Sequence, residues 1–236
     1  MLKVLVFDIW GDFGHFKRYY TTASPLTFSV PPPTAVFGML GAILGLDKEE
    51  YLEHINGRTT KVGIQILKPI KKTRMTLNLI DTKNSGSFHL IKNRTQIKTE
   101  FLKDPAYRLY INMENQELFN KLIDLVKKKE SYYTLSLGLA NLLANFRYVG
   151  VYDAEPVEES TEIHSIVLAE NIKRLEVEEG KKYSKEKLPI DMNSNREVLA
   201  YKDVVMEVQG KTLKGKFKKC IIIKDEIINL ITSIEN

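Results

Sequence analysis

The chain has 236 residues, room for one large or two small domains around a real core, and its 43% hydrophobic and 28% charged residues exclude disorder as the main state. A lone cysteine, Cys220, excludes an internal disulfide and suggests a cytoplasmic setting, while the longest apolar stretch, Ala35 to Leu46, is 12 residues and too short for a membrane span of roughly 20. The formal net charge of +5 is unevenly spread: residues 57–110 carry +9 and residues 151–197 carry −5.

Leu2 to Trp10 is a short β-rich run, predicted as an opening strand in the sheet centre and not as a signal peptide, since Asp8 interrupts it. GDFGHFKRYYTTASPLTFSV follows, and its turn formers and aromatics predict a long ordered loop that carries function. Pro31, Pro32 and Pro33 hold the chain extended. Thr34 is then a candidate N-cap for a short buried helix, AVFGMLGAILGL, whose Gly38, Gly41 and Gly45 suit tight packing against a sheet; no phosphate-binding glycine spacing is present. Thr60 to Leu67 alternates as a strand.

Residues 68–100 read as two β-compatible arms, about 70–80 and 88–99, around the turn cluster TKNSGS, predicting a basic hairpin. Ala106 to Met113 alternates as another strand, and Asn115 can cap an amphipathic helix from Gln116 to Lys129. FRYVGVY, residues 146–152, is a further strand. The order strand, helix, strand, hairpin, strand, helix, strand matches a split β-α-β arrangement. The fold class is therefore α+β: a ferredoxin-like (RRM-like) domain over residues 1–155 with an inserted basic hairpin, and a smaller, mostly β part over 156–236. That part holds IHSIVLA, VLAYKDVVMEV and KKCIIIK, and its Glu176 to Lys187 stretch is charged enough for a mobile loop.

The +9 segment points to a polyanion, or else to a solvated face neutralised in three dimensions by the 151–197 block. Four histidines and one cysteine show no metal-ligand spacing, so neither a metal nor another cofactor is expected. Two sets could bind phosphates and bases, or cleave RNA without a metal: His15, Lys17, Arg18, Tyr19 and Tyr20 after the first strand, and His89, Lys92 and Arg94 on one hairpin arm.

Three blocks in order, LKVLVFDIWGDFGHFKRYYTTASPLTFSVPPPTAVFGMLGAILG, RTQIKTEFLKDPAYRLYI and the weaker YTLSLGLANLLANFRYVG, resemble the CRISPR-associated Cas family five, and chain length and style are most similar to its type I-B branch. The resemblance implies a ferredoxin-like protein of the repeat-associated (RAMP) superfamily that caps the 5′ handle of the CRISPR RNA in the type I surveillance complex, Cascade, in antiviral defence. It implies as partners the crRNA 5′ handle, the Cascade backbone and large subunits, and target DNA near the PAM end. It also makes the hairpin a thumb, with RNA-binding roles for Lys71, Lys72, Arg74, Lys92, Arg94 and Gln96 there and for His15, Lys17, Arg18 and Tyr19 on the loop. The superfamily's glycine-rich C-terminal loop is at most vestigial, with Gly210 and Gly215 flanking KTLK.

Three functions stay open. One is a non-catalytic handle-binding subunit. A second is a metal-independent endoribonuclease like the type I-C relatives, with His15, His89, Tyr19 and Lys17 as its candidates, although the relatives' Lys-His adjacency is missing. The third is a protein-interaction module that touches no RNA.

Overall fold

The structure, a computed structural model, describes residues 2–21, 24–80 and 94–233. It mixes α and β and is mostly sheet. A central antiparallel layer is built from β1 (Leu2–Trp10), β3 (Thr60–Ile66), β6 (Ala106–Met113), β7 (Asn145–Ile163), β12 (Leu213–Ile223) and β13 (Glu226–Asn229), in the order β13-β12-β7-β1-β6-β3; β9 (Ile172–Glu176) also pairs β12. Two three-stranded sheets flank it. In one, β2 (Phe13–Gly14) and β4 (Lys72–Ile80) border β5 (Arg94–Lys103); in the other, β10 (Tyr183–Met192) and β8 (Val167–Leu168) border β11 (Val198–Glu207).

β1 lies between β7 and β6, in the sheet centre as its composition predicts. Its side chains alternate. Leu5, Phe7 and Ile9 enter the main core beneath α1 (Pro33–Leu44) and α3 (Gln116–Lys128), with Leu40, Phe119 and Leu122, while Val4 and Val6 join a second cluster with Tyr110, Ile221 and Ile228. A strand buried on both faces needs apolar residues at nearly every position, which explains the run LKVLVF.

α3 starts as expected, with the Leu118 N–H donating to Asn115 Oδ1 at 3.1 Å. α1 does not. Its N-cap is Pro32, extended at φ −61° and ψ 151°, and Thr34 sits inside the first turn. A proline at the first helical position has its φ preset and lacks an N–H that would be orphaned there, so no side-chain cap is required.

The α1 glycines also differ from expectation. Gly38 and Gly41 face a short helix, α2 (Tyr51–His54), and not a sheet, a Cβ at Gly41 sitting 3.1 Å from Tyr51 Cβ, while Gly45 packs against Tyr132. Gly45 ends the helix in the left-handed region at φ 76°.

β7 is 19 residues long and crosses the boundary drawn near 155 without a break, changing partner there. Asn145 to Ala154 pair with β1, and Glu155 to Ile163 pair with β12. The stretch expected as a mobile loop, 176–187, is partly strand: β10 begins at Tyr183, and Glu186 is buried. No helix among the described residues is long and apolar enough to cross a membrane.

Two outcomes check this packing. Leu122→Ala, at a fully buried position of α3, should destabilise by about 2–5 kcal/mol in urea unfolding. Cys220 is buried in β12 and burial pushes its thiol pKa up to about 11, so a thiol reagent at pH 8 should leave it unmodified in the native protein and titrate one thiol in denaturant.

Candidate nucleic-acid interface

The loop after β2 is ordered by backbone and buried polar contacts. Lys17 bridges Thr27, the Thr27 hydroxyl accepts from the Phe16 N–H at 2.9 Å, and the His15 N–H donates to the Leu137 carbonyl at 2.8 Å. His15 is 3% exposed; its Nδ1–H donates to the Glu100 carbonyl at 2.7 Å and its ring lies 5.5 Å from that of Phe101. The facing segment comes close only because residue 138 is glycine. At φ 99°, a Cβ there would overlap the His15 carbonyl.

Charge at the base of the hairpin is organised by one carboxylate. Glu186 on β10 is 2.5 Å from Arg18 and accepts from the Ser29 N–H at 2.9 Å and the Ser29 hydroxyl at 2.8 Å. Lys72 Nζ lies 3.8 Å from both Glu186 and Glu100 and donates to the Thr27 carbonyl at 3.0 Å. Burial lowers the Lys72 pKa, with Glu186 and Glu100 opposing it; burial is also the largest single influence on Arg18 and works the same way, but Glu186, Tyr20 and Glu100 together outweigh it and the Arg18 pKa rises. Arg18 also donates to Tyr20 Oη at 2.7 Å and lies 5.6 Å from the Phe28 ring centre. Both cations, expected as phosphate contacts, are thus neutralised within the chain.

β4 and β5 pair from Lys72↔Leu102 to Ile80↔Arg94, and the second arm runs on to Lys103, four residues past the 99 that the sequence suggests. Opposed residues share a face, so the hairpin has two unlike sides. One holds Arg74 and Thr76 against Glu100 and Lys98, then Asn78 against Gln96; the other holds Met75, Leu77 and Leu79 against Thr99, Ile97 and Thr95. Lys71, Arg74, Lys98 and Lys103 have no ion-pair partner among the described residues, and Lys71, Arg74 and Gln96 are exposed. Arg94 is placed at the far end of the described ladder. His89 and Lys92 lie outside the described residues.

Beside the loop opens a cleft of about 910 Å³. His15, Lys17 and Tyr19 line one side, Thr34, Gly38 and Gly41 of α1 the floor, residues 133–139 a third wall, and the β10–β11 hairpin the fourth, through Met192, Arg196 and Tyr201. Tyr19 is 51% exposed and lies 4.8 Å from the Tyr201 ring; Lys187 Nζ is 5.9 Å from the same ring. Glu186, Tyr51, Tyr201 and Arg196 escape a reading by residue type. The signal for Glu186 was its parity, because it shares the inward face of β10 with Leu188 and Ile190. No group of three or more His, Cys, Asp or Glu among the described residues could hold a metal.

The family model described as CRISPR-associated protein (Cas_Cas5) matches residues 4–208. The chain belongs to that family. No curated protein matches it. Among solved structures it is similar to a CRISPR protein from Archaeoglobus fulgidus at TM-score 0.60 and 13% identity, covering 99% of this chain and 100% of that one. It is also similar to a chain of a CRISPR RNA-guided surveillance complex at TM-score 0.55 and 10% identity, covering 87% and 90%, and to a Cas protein at TM-score 0.50 and 15% identity, covering 88% and 95%. These likenesses establish that this Cas5-family chain shares their fold.

Glu186→Gln should show what the carboxylate holds together. With Arg18 and Lys72 left without their counter-charge, the variant should lose about 2 kcal/mol or more of stability in denaturant unfolding. An unchanged midpoint would reduce the network to a surface ion pair.

Proposed function

We propose that the chain is a non-catalytic RNA-binding subunit of a type I CRISPR effector complex, capping the 5′ handle of the crRNA. The observation that carries this reading is that a hairpin face whose Arg74 and Lys98 have no ion-pair partner among the described residues is joined at its foot, through Lys72 and Glu100, to the loop that lines an aromatic cleft. Single-stranded RNA needs both, cations for phosphates and ring faces for splayed bases. Family membership supports it, and so does the strand order β7-β1-β6-β3 with α1 and α3 on one side, which suits a ferredoxin-like (RRM-like) domain over residues 1–155.

The hairpin is then a thumb with a division of labour. Arg74, Lys98 and the adjacent Lys71 meet phosphates, while Met75, Leu77 and Leu79 meet the neighbouring backbone subunit. The large subunit and target DNA near the PAM end belong to the same assembly. The processing-ribonuclease reading draws on His15, Lys17 and Tyr19, which line one cleft.

One titration separates the readings: repeat RNA with the protein in EDTA, followed for shift and cleavage together. A handle-dependent shift without a cut is expected; a size-defined cut would establish the ribonuclease, and no affinity at physiological salt would leave a protein-interaction module. The salt dependence locates the phosphate contacts. Lys71→Ala or Arg74→Ala should each flatten the log-log slope by roughly 0.7, whereas Lys72→Ala should lower stability and leave the slope unchanged.

A further inference from the structure

An unpaired strand edge offers a row of N–H and C=O groups to any second strand, and most edges among the described strands are blocked. β3 ends the central sheet but is bridged at Val62 by Ile231. β2, β8, β9 and β13 are at most five residues long, and β10 carries Pro189 and register shifts on either side of Asp191.

β4 differs from all of these. It is nine residues long, pairs with β5 in an unbroken register and has no strand on its other side among the described residues. Met75, Leu77 and Leu79 share one face with Ile97 of β5, and none of the four packs against a core cluster. Charged side chains are the usual protection of such an edge. Here Lys72 is held at the foot by the Thr27 carbonyl, Glu100 and Glu186, which leaves Arg74 as the one charge standing free along β4.

The sequence of β4 suits a copy of itself. Two antiparallel copies keep like faces together when the pairing is centred on a residue, and the choice of centre then fixes every cross-strand pair. A centre at Thr73 or Arg74 opposes cations, Lys72 to Arg74 or Arg74 to itself; a centre at Met75 or Thr76 sets a leucine against Thr73. Centred on Leu77, the pairs are Leu77 to itself, Met75 to Leu79, Thr76 to Asn78 and Arg74 to Ile80. Apolar residues then meet apolar ones on one face, Thr76 meets Asn78 on the other, and no cations are opposed. Lys72 and Thr73 stay outside the pairing, so the foot keeps its contacts with the loop. Centres beyond Leu77 only shorten the ladder.

We propose that the free chain forms a two-fold dimer through β4, the two hairpins joining edge to edge around Leu77 into one continuous sheet. The pairing satisfies the outward backbone groups of β4 and sets Met75, Leu77 and Leu79 beside their counterparts. It uses up the open edge of both copies, so association stops at two. The inference stands on this strand edge and does not rest on the RNA-binding reading.

The test uses the full chain without RNA. Sedimentation velocity from about 1 to 100 μM, the range that suits a small interface, should show the mass rising from one chain to two with nothing larger. Leu77→Lys sets two cations directly opposite each other and should weaken the dimer about tenfold or more, with an unchanged thermal midpoint because Leu77 lies outside the core clusters. Leu77→Cys places a thiol opposite its own copy within disulfide reach, so mild oxidation should yield a covalent dimer, whereas Thr73→Cys should yield none. Cys220 is buried and leaves the native background silent. A single-chain mass at every concentration overturns the proposal. So does a dimer that Leu77→Lys leaves intact, or one that Thr73→Cys crosslinks as readily as Leu77→Cys. None of these results bears on RNA binding.

Discussion

The Glu186 carboxylate is the constraint on which the arrangement of the interface depends. It comes from β10, in the C-terminal half, and is met by Arg18 and Ser29 of the long loop and by Lys72 at the foot of the hairpin. Three segments far apart in sequence are thereby held around one charge. A carboxylate in a site this dry is tolerable only with such partners. Once they are fixed, the loop is fixed, and with it His15, Lys17 and Tyr19 along the cleft.

The same arrangement divides the basic residues into two kinds. Arg18 and Lys72 are structural cations, while Lys71, Arg74 and Lys98 present charge to solvent. Among the described residues, Lys72 is the one cation of residues 57–110 that an acid of the 151–197 block meets. That block sends Glu186 into the network, but Glu159 pairs with Lys173, and Glu178 with Lys181 and Lys214. The second face of the hairpin follows from strand geometry. Met75, Leu77 and Leu79 alternate with the polar residues of β4, and Leu79 stays 44% exposed, an apolar strip suited to a neighbouring protein.

Much of the central layer was legible because its signals are local. The apolar run of β1, the alternation in β3 and β6, and the Asn115 cap of α3 each announce an element. The C-terminal half was harder to read. β8, β9 and β13 are two to five residues long, too short for a pattern, and the charge of 176–187 hides a strand whose buried acid looks exposed by composition. At the interface, residue type found the loop and the hairpin, but parity and long-range pairing decide which cations are available. Tyr51 and Thr34 were invisible as lining residues of the cleft, since which side chains reach it depends on how α1, α2 and the β10–β11 hairpin pack together. The proline run carried a signal that was misassigned: Pro32 and Pro33 start α1, and Thr34 is left with its side chain at the cleft.

The central claim is that the cleft between the 15–20 loop and the β10–β11 hairpin is where RNA lies. Photo-crosslinking of repeat RNA to the intact protein, followed by peptide mapping, tests it most directly. The account predicts crosslinks on peptides containing Tyr19 and Tyr201, together with the hairpin around Arg74. Crosslinks confined to the lysine-rich strand around Lys214, Lys216 and Lys218, with none near the cleft, would contradict it.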